Sequence, residues 1–163
     1  MEKTFMKMID GIPQIVEGMS YFAHLLKPVP DYTEKQNPGA GKYGWEINLA
    51  VSDDVFKAFK EAGYNVGMKQ AGQSKYTPDP VITFYRYHLD YNQRENTAPI
   101  VVDTEKEPFG DMIGNGSRVA VQWSPMVYGK GKFKRPIVQA VQVLDLIEIG
   151  SYPDSMKEVE VAF

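Results

Sequence analysis

The chain has 163 residues, the size of one domain, and 43% of them are apolar, enough to fill a core. Its 18 basic and 21 acidic residues give a net charge of −3, which excludes a uniformly basic chain of the histone kind. Cysteine is absent, which excludes a disulfide framework, an iron–sulfur cluster, a Cys-rich zinc site and a thiol nucleophile, and fits a reducing compartment.

No apolar run reaches the roughly 18–20 residues of a membrane span. The segment Met1–Met6 lacks the basic start and apolar stretch of a secretory signal, so a soluble protein of the cell interior is expected.

In chain order, Tyr21–Leu26 supplies an opening strand, and residues 28–41 form a loop rich in proline and glycine. Tyr43, Trp45, Ile47, Leu49 and Val51 share one parity, which predicts a strand with one buried face. A helix of about three turns follows. Ser52 caps it, Asp53 and Asp54 suit its positive end, Val55, Phe56, Phe59 and Ala62 form its apolar side, and Gly63 ends it. After a second loop over 67–80 come the strands Val81–Leu89 and Ile100–Val102. The turn Ile113–Ser117 precedes the alternating strand Arg118–Trp123, in which Val119, Val121 and Trp123 face inward. Residues 124–135 read as a flexible basic hairpin loop. The final strand, Ile137–Ile149, slips in parity near Val143–Leu144, as a bulge would cause.

These elements predict an all-β fold with one short helix and long loops: a five-stranded closed β-barrel over residues 1–150, since closure removes exposed edges, and a short acidic tail over 151–163. Charge divides the same way. Residues 112–144 carry Arg118, Lys130, Lys132, Lys134 and Arg135 and no acid, whereas Asp145, Glu148, Asp154, Glu158 and Glu160 follow with Lys157 alone against them.

Catalytic patterns are missing. His24 and His88 lie in predicted strands without a nucleophile motif, and Asp103, Glu105 and Glu107 flank Lys106 in what reads as a solvated turn. Gly39-Ala40-Gly41 lacks the third glycine and the following helix of a dinucleotide site. No enzyme activity, metal or cofactor is expected.

What remains is aromatic: 10 Tyr, 8 Phe and 2 Trp, several interleaved with cations. A single-stranded nucleic acid needs that combination, because cations neutralise phosphates while flat side chains take unstacked bases. One stretch is Phe84-Tyr85-Arg86-Tyr87-His88, where Tyr85 and Tyr87 share one face and Phe84, Arg86 and His88 the other; alternation alone leaves open which face is core. The second runs from Trp123 to Arg135. Trp123 is in phase with the core, Tyr128 beside glycines is the best stacking candidate, Phe133 either stacks or anchors the returning strand, and Lys130, Lys132, Lys134 and Arg135 supply charge. Trp45 is divided between barrel end and groove, and Lys42 and Arg118 are further candidate contacts.

The runs Pro99–Asp103, Met112–Tyr128 and Val138–Ile149, with Tyr21–Pro28 and Trp45–Val51 upstream, resemble the single-stranded-DNA-binding proteins that short-tailed bacteriophages encode for replication. The resemblance covers roughly residues 21–149 in one order. It implies an OB-fold, binding of single-stranded DNA with little sequence preference during replication and recombination, no catalysis, and action in the cytoplasm of a bacterial host. The family's stacking tyrosine in the loop before the last strand corresponds to Tyr128. Its strand lysines correspond to Arg118, Ala120 and Gln122, so part of the electrostatic contact is expected at 130–135. Its acidic tail ending in phenylalanine corresponds to Glu158, Glu160 and Phe163, which implies contacts with replication partners such as a DNA polymerase or helicase-primase, and a possible homodimer. Here the tail is short and carries Lys157. A different reading also fits the acidic chain: a non-catalytic β-barrel adaptor or structural protein of a phage particle, which would not shift in gel filtration when an oligonucleotide is added.

Overall fold

The computed structural model describes residues 7–30, 35–39, 42–89 and 94–148. The fold is mostly β with a helix. Met8–Ile9 (β1) and Ile12–Pro13 (β2) form a small ribbon, and Ile15–Pro30 (β3) and Tyr43–Ala50 (β4) lead into the helix Asp53–Glu61 (α1). Met68–Lys69 (β5), Val81–Tyr87 (β6), Ile100–Val102 (β7), Ser117–Tyr128 (β8) and Phe133–Asp145 (β9) complete the chain order.

A seven-stranded sheet runs in the order β5-β6-β4-β3-β8-β9-β7, antiparallel except where β7 meets β9. The expected closed barrel of five strands is therefore corrected to an open sheet. The physical reason lies at the start of β9. There the N–H groups of Asn65 and Val66 donate to the Lys134 carbonyl (3.2 and 3.3 Å), the Asn65 side-chain amide donates to the Lys132 carbonyl (3.2 Å), and the Lys134 N–H donates to the Asn65 side-chain oxygen (2.9 Å). The β9 edge that could have paired with β6 is thus already occupied, and β6 and β9 meet through side chains instead.

Helix α1 forms as its residues dictate. The Ser52 hydroxyl accepts from the Val55 N–H, Asp53 and Asp54 occupy the first turn, and Gly63 takes a left-handed φ of 94° just past the end. Its Phe59 is fully buried and meets the rings of Trp123, Tyr64 and Phe84 at centroid distances of 4.9, 5.2 and 6.1 Å. Ile47, Leu49, Ile82, Val119 and Val121 fill the same core, as the alternation of β4 and β8 predicts. The slip in the last strand is also present: Arg118 pairs with Asp145 but Val119 with Val143, leaving Leu144 as the extra residue. A second extra residue, Gln139, follows from the step between Gln122–Ala140 and Trp123–Val138.

Two further expectations needed correcting. The opening strand is far longer than 21–26, because Phe22 takes a left-handed φ of 48° and its bulge breaks the parity that a pattern search relies on. Residues 124–128 and 133–135 are strand, and only 129–132 turn. Pro125 is tolerated in this strand because β8 has left β3 after Gln122, so no N–H is required on that side. The β1–β2 ribbon was also legible in principle: Asp10 and Gly11, at φ 53° and 78°, form the two-residue turn that Asp-Gly favours between apolar pairs.

Candidate nucleic-acid interface

Cross-strand partners project to the same side of a sheet. Trp45–Arg86, Ile47–Phe84 and Leu49–Ile82 face the core, so Gly44–Tyr87, Glu46–Tyr85 and Asn48–Thr83 face outward. The same rule places Tyr128–Phe133 and Met126–Arg135 together on one face of the β8–β9 hairpin. The sheet curls so that this face meets the outer face of β6.

Arg135 is the joint. Its guanidinium lies 4.6 Å from the Tyr85 ring centroid and 6.0 Å from that of Tyr87, and the two rings pack edge-on at 4.8 Å. Lys42 Nζ approaches the Tyr87 ring from elsewhere at 5.9 Å. Arg135 Nε is buried without a hydrogen-bond partner, and no carboxylate forms an ion pair with this side chain among the described residues. A charge held partly out of water without a counter-charge carries a desolvation cost, which here the long contact of Arg135 Nη1 with the Tyr87 hydroxyl (3.5 Å) offsets only in part. Tyr85 itself is only 1% exposed, so it supports the guanidinium from beneath and offers no open ring. Gly44 makes the support possible: a Cβ there would collide with the Arg86 carbonyl oxygen and come within 2.5 Å of the Tyr85 ring.

At the hairpin tip, Tyr128 and Phe133 stack at 5.4 Å with 25° between their planes, and both are more than one-third exposed. Lys132 Nζ lies 5.6 Å from the Phe133 ring, and Gly129, Lys130 and Gly131 are all left-handed, turning the chain within four residues. Tyr128, Phe133, Lys132, Arg135, Tyr87 and Lys42 are thus brought to one side, with Tyr85 below it and Lys130 in the turn at the tip.

Four other candidates lie elsewhere. Trp45 is buried in the core with its ring against His88 (5.6 Å). Arg86 donates through Nε to the Thr97 carbonyl at 2.8 Å. Arg118 pairs with Glu17 at 2.9 Å near the opposite end of β8. Lys134 alternates to the inner side, where Nζ donates to Asp10 Oδ2 (2.6 Å) and to the Ala62 carbonyl at the end of α1 (3.1 Å), over the Tyr64 ring. Glu158, Glu160 and Phe163 lie outside the described residues.

Lys134 therefore holds the hairpin to the fold instead of meeting a ligand. Its hydrogen bond keeps the Asp10 carboxyl below the ordinary value of about 3.9, aided by the Tyr64 hydroxyl and opposed by desolvation. Burial, then the Asp10 acceptor, pushes the Tyr64 phenol upward. A depressed carboxyl stabilises the fold above its unfolded pKa and loses that contribution as pH falls; a raised phenol does so below its unfolded pKa and loses it as pH rises. Lys134→Met should cost about 1 kcal/mol at pH 7, a modest figure because the Asp10 side chain is 40% exposed. Urea unfolding at pH 7 and pH 3 checks this: the gap between parent and variant should narrow in acid as Asp10 takes up a proton, leaving the part owed to the Ala62 carbonyl, and a gap as wide at pH 3 as at pH 7 would contradict the assignment.

Sequence reading had no view of Gly44 or Asn65. Gly44 left a signal, a glycine inside an alternating strand, which marks a close approach. Asn65 left none, because its partners are 67 and 69 residues away.

No protein-family model and no curated protein sequence matches the chain. Solved structures do match it. The single-stranded DNA binding protein gp2.5 encoded by bacteriophage T7 superposes with a TM-score of 0.53 at 18% identity, covering 90% of this chain and 94% of that one. The single-stranded DNA-binding protein of bacteriophage Enc34, in complex with single-stranded DNA, gives 0.52 at 16% identity over 83% and 87%. A C-terminal truncation of the Enc34 protein gives 0.50 at 15% identity over 82% and 85%. At these identities the likeness is one of fold, and the fold is that of these phage proteins.

Proposed function

We propose, from a fold shared with phage single-stranded-DNA-binding proteins, that this chain binds single-stranded DNA without sequence preference on the surface joined by Arg135. The observation that carries the reading is the guanidinium laid over Tyr85 and Tyr87 with no carboxylate paired to it among the described residues. β3, β4, β6, β8 and β9 follow the strand order of an OB-fold, whose second and third strands and last hairpin form its usual oligonucleotide face. Here those parts are β4, β6 and the Tyr128–Phe133 tip.

Phosphates run past Arg135, Lys42, Lys130 and Lys132, and a base stacks on the open side of the Tyr128–Phe133 pair. The negative net charge does not oppose this, because charges beyond about 8–10 Å are screened at physiological salt while the local field of the groove acts at contact. Protection of exposed strands during phage replication and recombination, in a bacterial cytoplasm, is the biological setting that the reading implies. Contacts with replication proteins through Glu158, Glu160 and Phe163, and pairing with a second copy, belong to it as well.

Titrating fluorescence with oligothymidylate tests the proposal. With four cations each meeting a phosphate, the logarithm of affinity should fall against the logarithm of salt with a slope of about −3. Tyr128→Ala should lose about 1–3 kcal/mol, one stacked base. Affinity indifferent to salt, or a Tyr128→Ala protein that binds like the parent, would count against this surface.

A further inference from the structure

The outer face that carries Tyr85 and Tyr87 continues across β4 onto β3, where a second group of rings stands open. Tyr21 pairs with Asn48, which shares the outward side with Glu46 and Gly44, and the side chains tie the strands together: Asn48 Nδ2 donates to the Tyr21 carbonyl (3.1 Å) and the Thr83 hydroxyl donates to Asn48 Oδ1 (2.6 Å). The Tyr76 ring, from the loop before β6, meets Tyr21 at 5.2 Å and Phe22 edge-on at 4.9 Å. Phe22 is 44% exposed and Tyr76 39%.

Phe22 does not reach this position by default. Its backbone is left-handed, which a large side chain rarely adopts, and its N–H is held at 2.7 Å by the Asn115 side chain from the turn before β8. A strained residue fixed by a distant partner so that its ring faces water is a feature that core packing does not require. Cations lie beside it. Arg118 pairs with the exposed Met19 on the same face, and its only ion pair among the described residues is with exposed Glu17, a link weak enough to be exchanged for a phosphate. Lys75 precedes Tyr76 and is exposed.

We propose that Tyr21, Phe22 and Tyr76 form a second base-stacking platform for the same single strand, so that the site runs from the hairpin tip across the whole outer face. This rests on the reading that the chain binds single-stranded DNA. Two inter-strand steps and two residues along the strand separate Tyr21 from Tyr85, about 12 Å between backbones, so a short oligonucleotide occupies one platform and a longer one spans both. Glu46, opposite His24 between the platforms, keeps the phosphate rail off the sheet there and leaves the crossing to sugars and bases. Arg118 then belongs to the second platform.

The experiment compares oligothymidylates of about 4 and about 16 nucleotides, the limits of what an OB-fold covers, on the full chain, on Tyr76→Ala and on Arg135→Ala. Tyr76 is an exposed loop residue, and circular dichroism confirms that its variant folds. Tyr76→Ala should bind the short oligomer as the parent does and the long one at least about fivefold more weakly, with Tyr76→Phe restoring the long-oligomer affinity. If Tyr76→Ala matches the parent on the long oligomer while Arg135→Ala loses affinity, the second platform is refuted and the first stands. Equal loss on both lengths also refutes it, since Tyr76 would then act on the first platform. A parent chain that binds neither oligomer overturns the underlying reading and the extension together.

Discussion

Arg135→Ala should weaken oligothymidylate binding by about thirtyfold to 150-fold, or about 2–3 kcal/mol, the usual worth of a hydrogen bond to a charged group in a partly desolvated site. The effect is large because two losses coincide. A phosphate loses a planar donor that needs no rearrangement, and Tyr85 and Tyr87 lose the guanidinium that covers them at 4.6 and 6.0 Å. Arg135→Lys separates the two. The charge remains, but an ammonium neither forks onto a phosphate nor spreads over a ring, so an intermediate loss of about fivefold is expected. The salt slope should fall by about 0.7 for alanine and stay unchanged for lysine. If both variants bind like the parent, phosphate does not pass this side chain and the surface is wrong.

Trp123→Ala should destabilise the fold by about 3–5 kcal/mol in chemical denaturation. Trp123 is fully buried between Phe59 and Tyr64, at 4.9 and 5.4 Å, and its Nε1 donates to the Pro13 carbonyl at 2.9 Å. That last bond ties the β1–β2 ribbon to the sheet. The ribbon bears Asp10, the partner of Lys134, so the indole supports the hairpin from below at one remove. Trp123→Phe keeps an aromatic ring and drops the hydrogen bond, and about 1–2 kcal/mol is expected. Wherever either variant is still folded, its oligonucleotide affinity should stay near that of the parent, because Trp123 faces away from the binding surface. A Trp123→Ala protein with parental stability would mean that the core is not organised around this residue.

Periodicity was readable where one face of an element is dry and no residue is inserted. Val119, Val121 and Trp123 in β8, Trp45, Ile47 and Leu49 in β4, and Phe59 of α1 satisfy that condition and are buried, whereas Tyr43 at the start of β4 is 41% exposed and Val55 and Phe56 are half-buried. The bulge at Leu144 was visible because it shifts a long apolar run by one. Phe22 hid most of β3 for the opposite reason: its inserted residue is itself apolar, so the pattern loses phase without showing why. That the sheet stays open was not legible, since it depends on Asn65 reaching Lys132 and Lys134 across the molecule. Residue type marked out the candidate stretch, but parity decided which of its cations face the proposed surface. Lys134 and Arg135 are neighbours in the chain, yet one turns inward to Asp10 and the other outward onto two tyrosines. Tyr76 left no pattern, because a loop has no period.

The two ends of the sheet have a bearing on how many copies share one strand of DNA. Among the described residues the outermost strands are short, two residues in β5 and three in β7, so each offers a neighbouring molecule only a short backbone edge of its own. On the proposed reading, copies crowded along one polynucleotide would not join into a continuous ribbon through these two short strands. Any preference for filling adjacent places must come from side chains and loops, and it would dissolve in salt well before the protein unfolds.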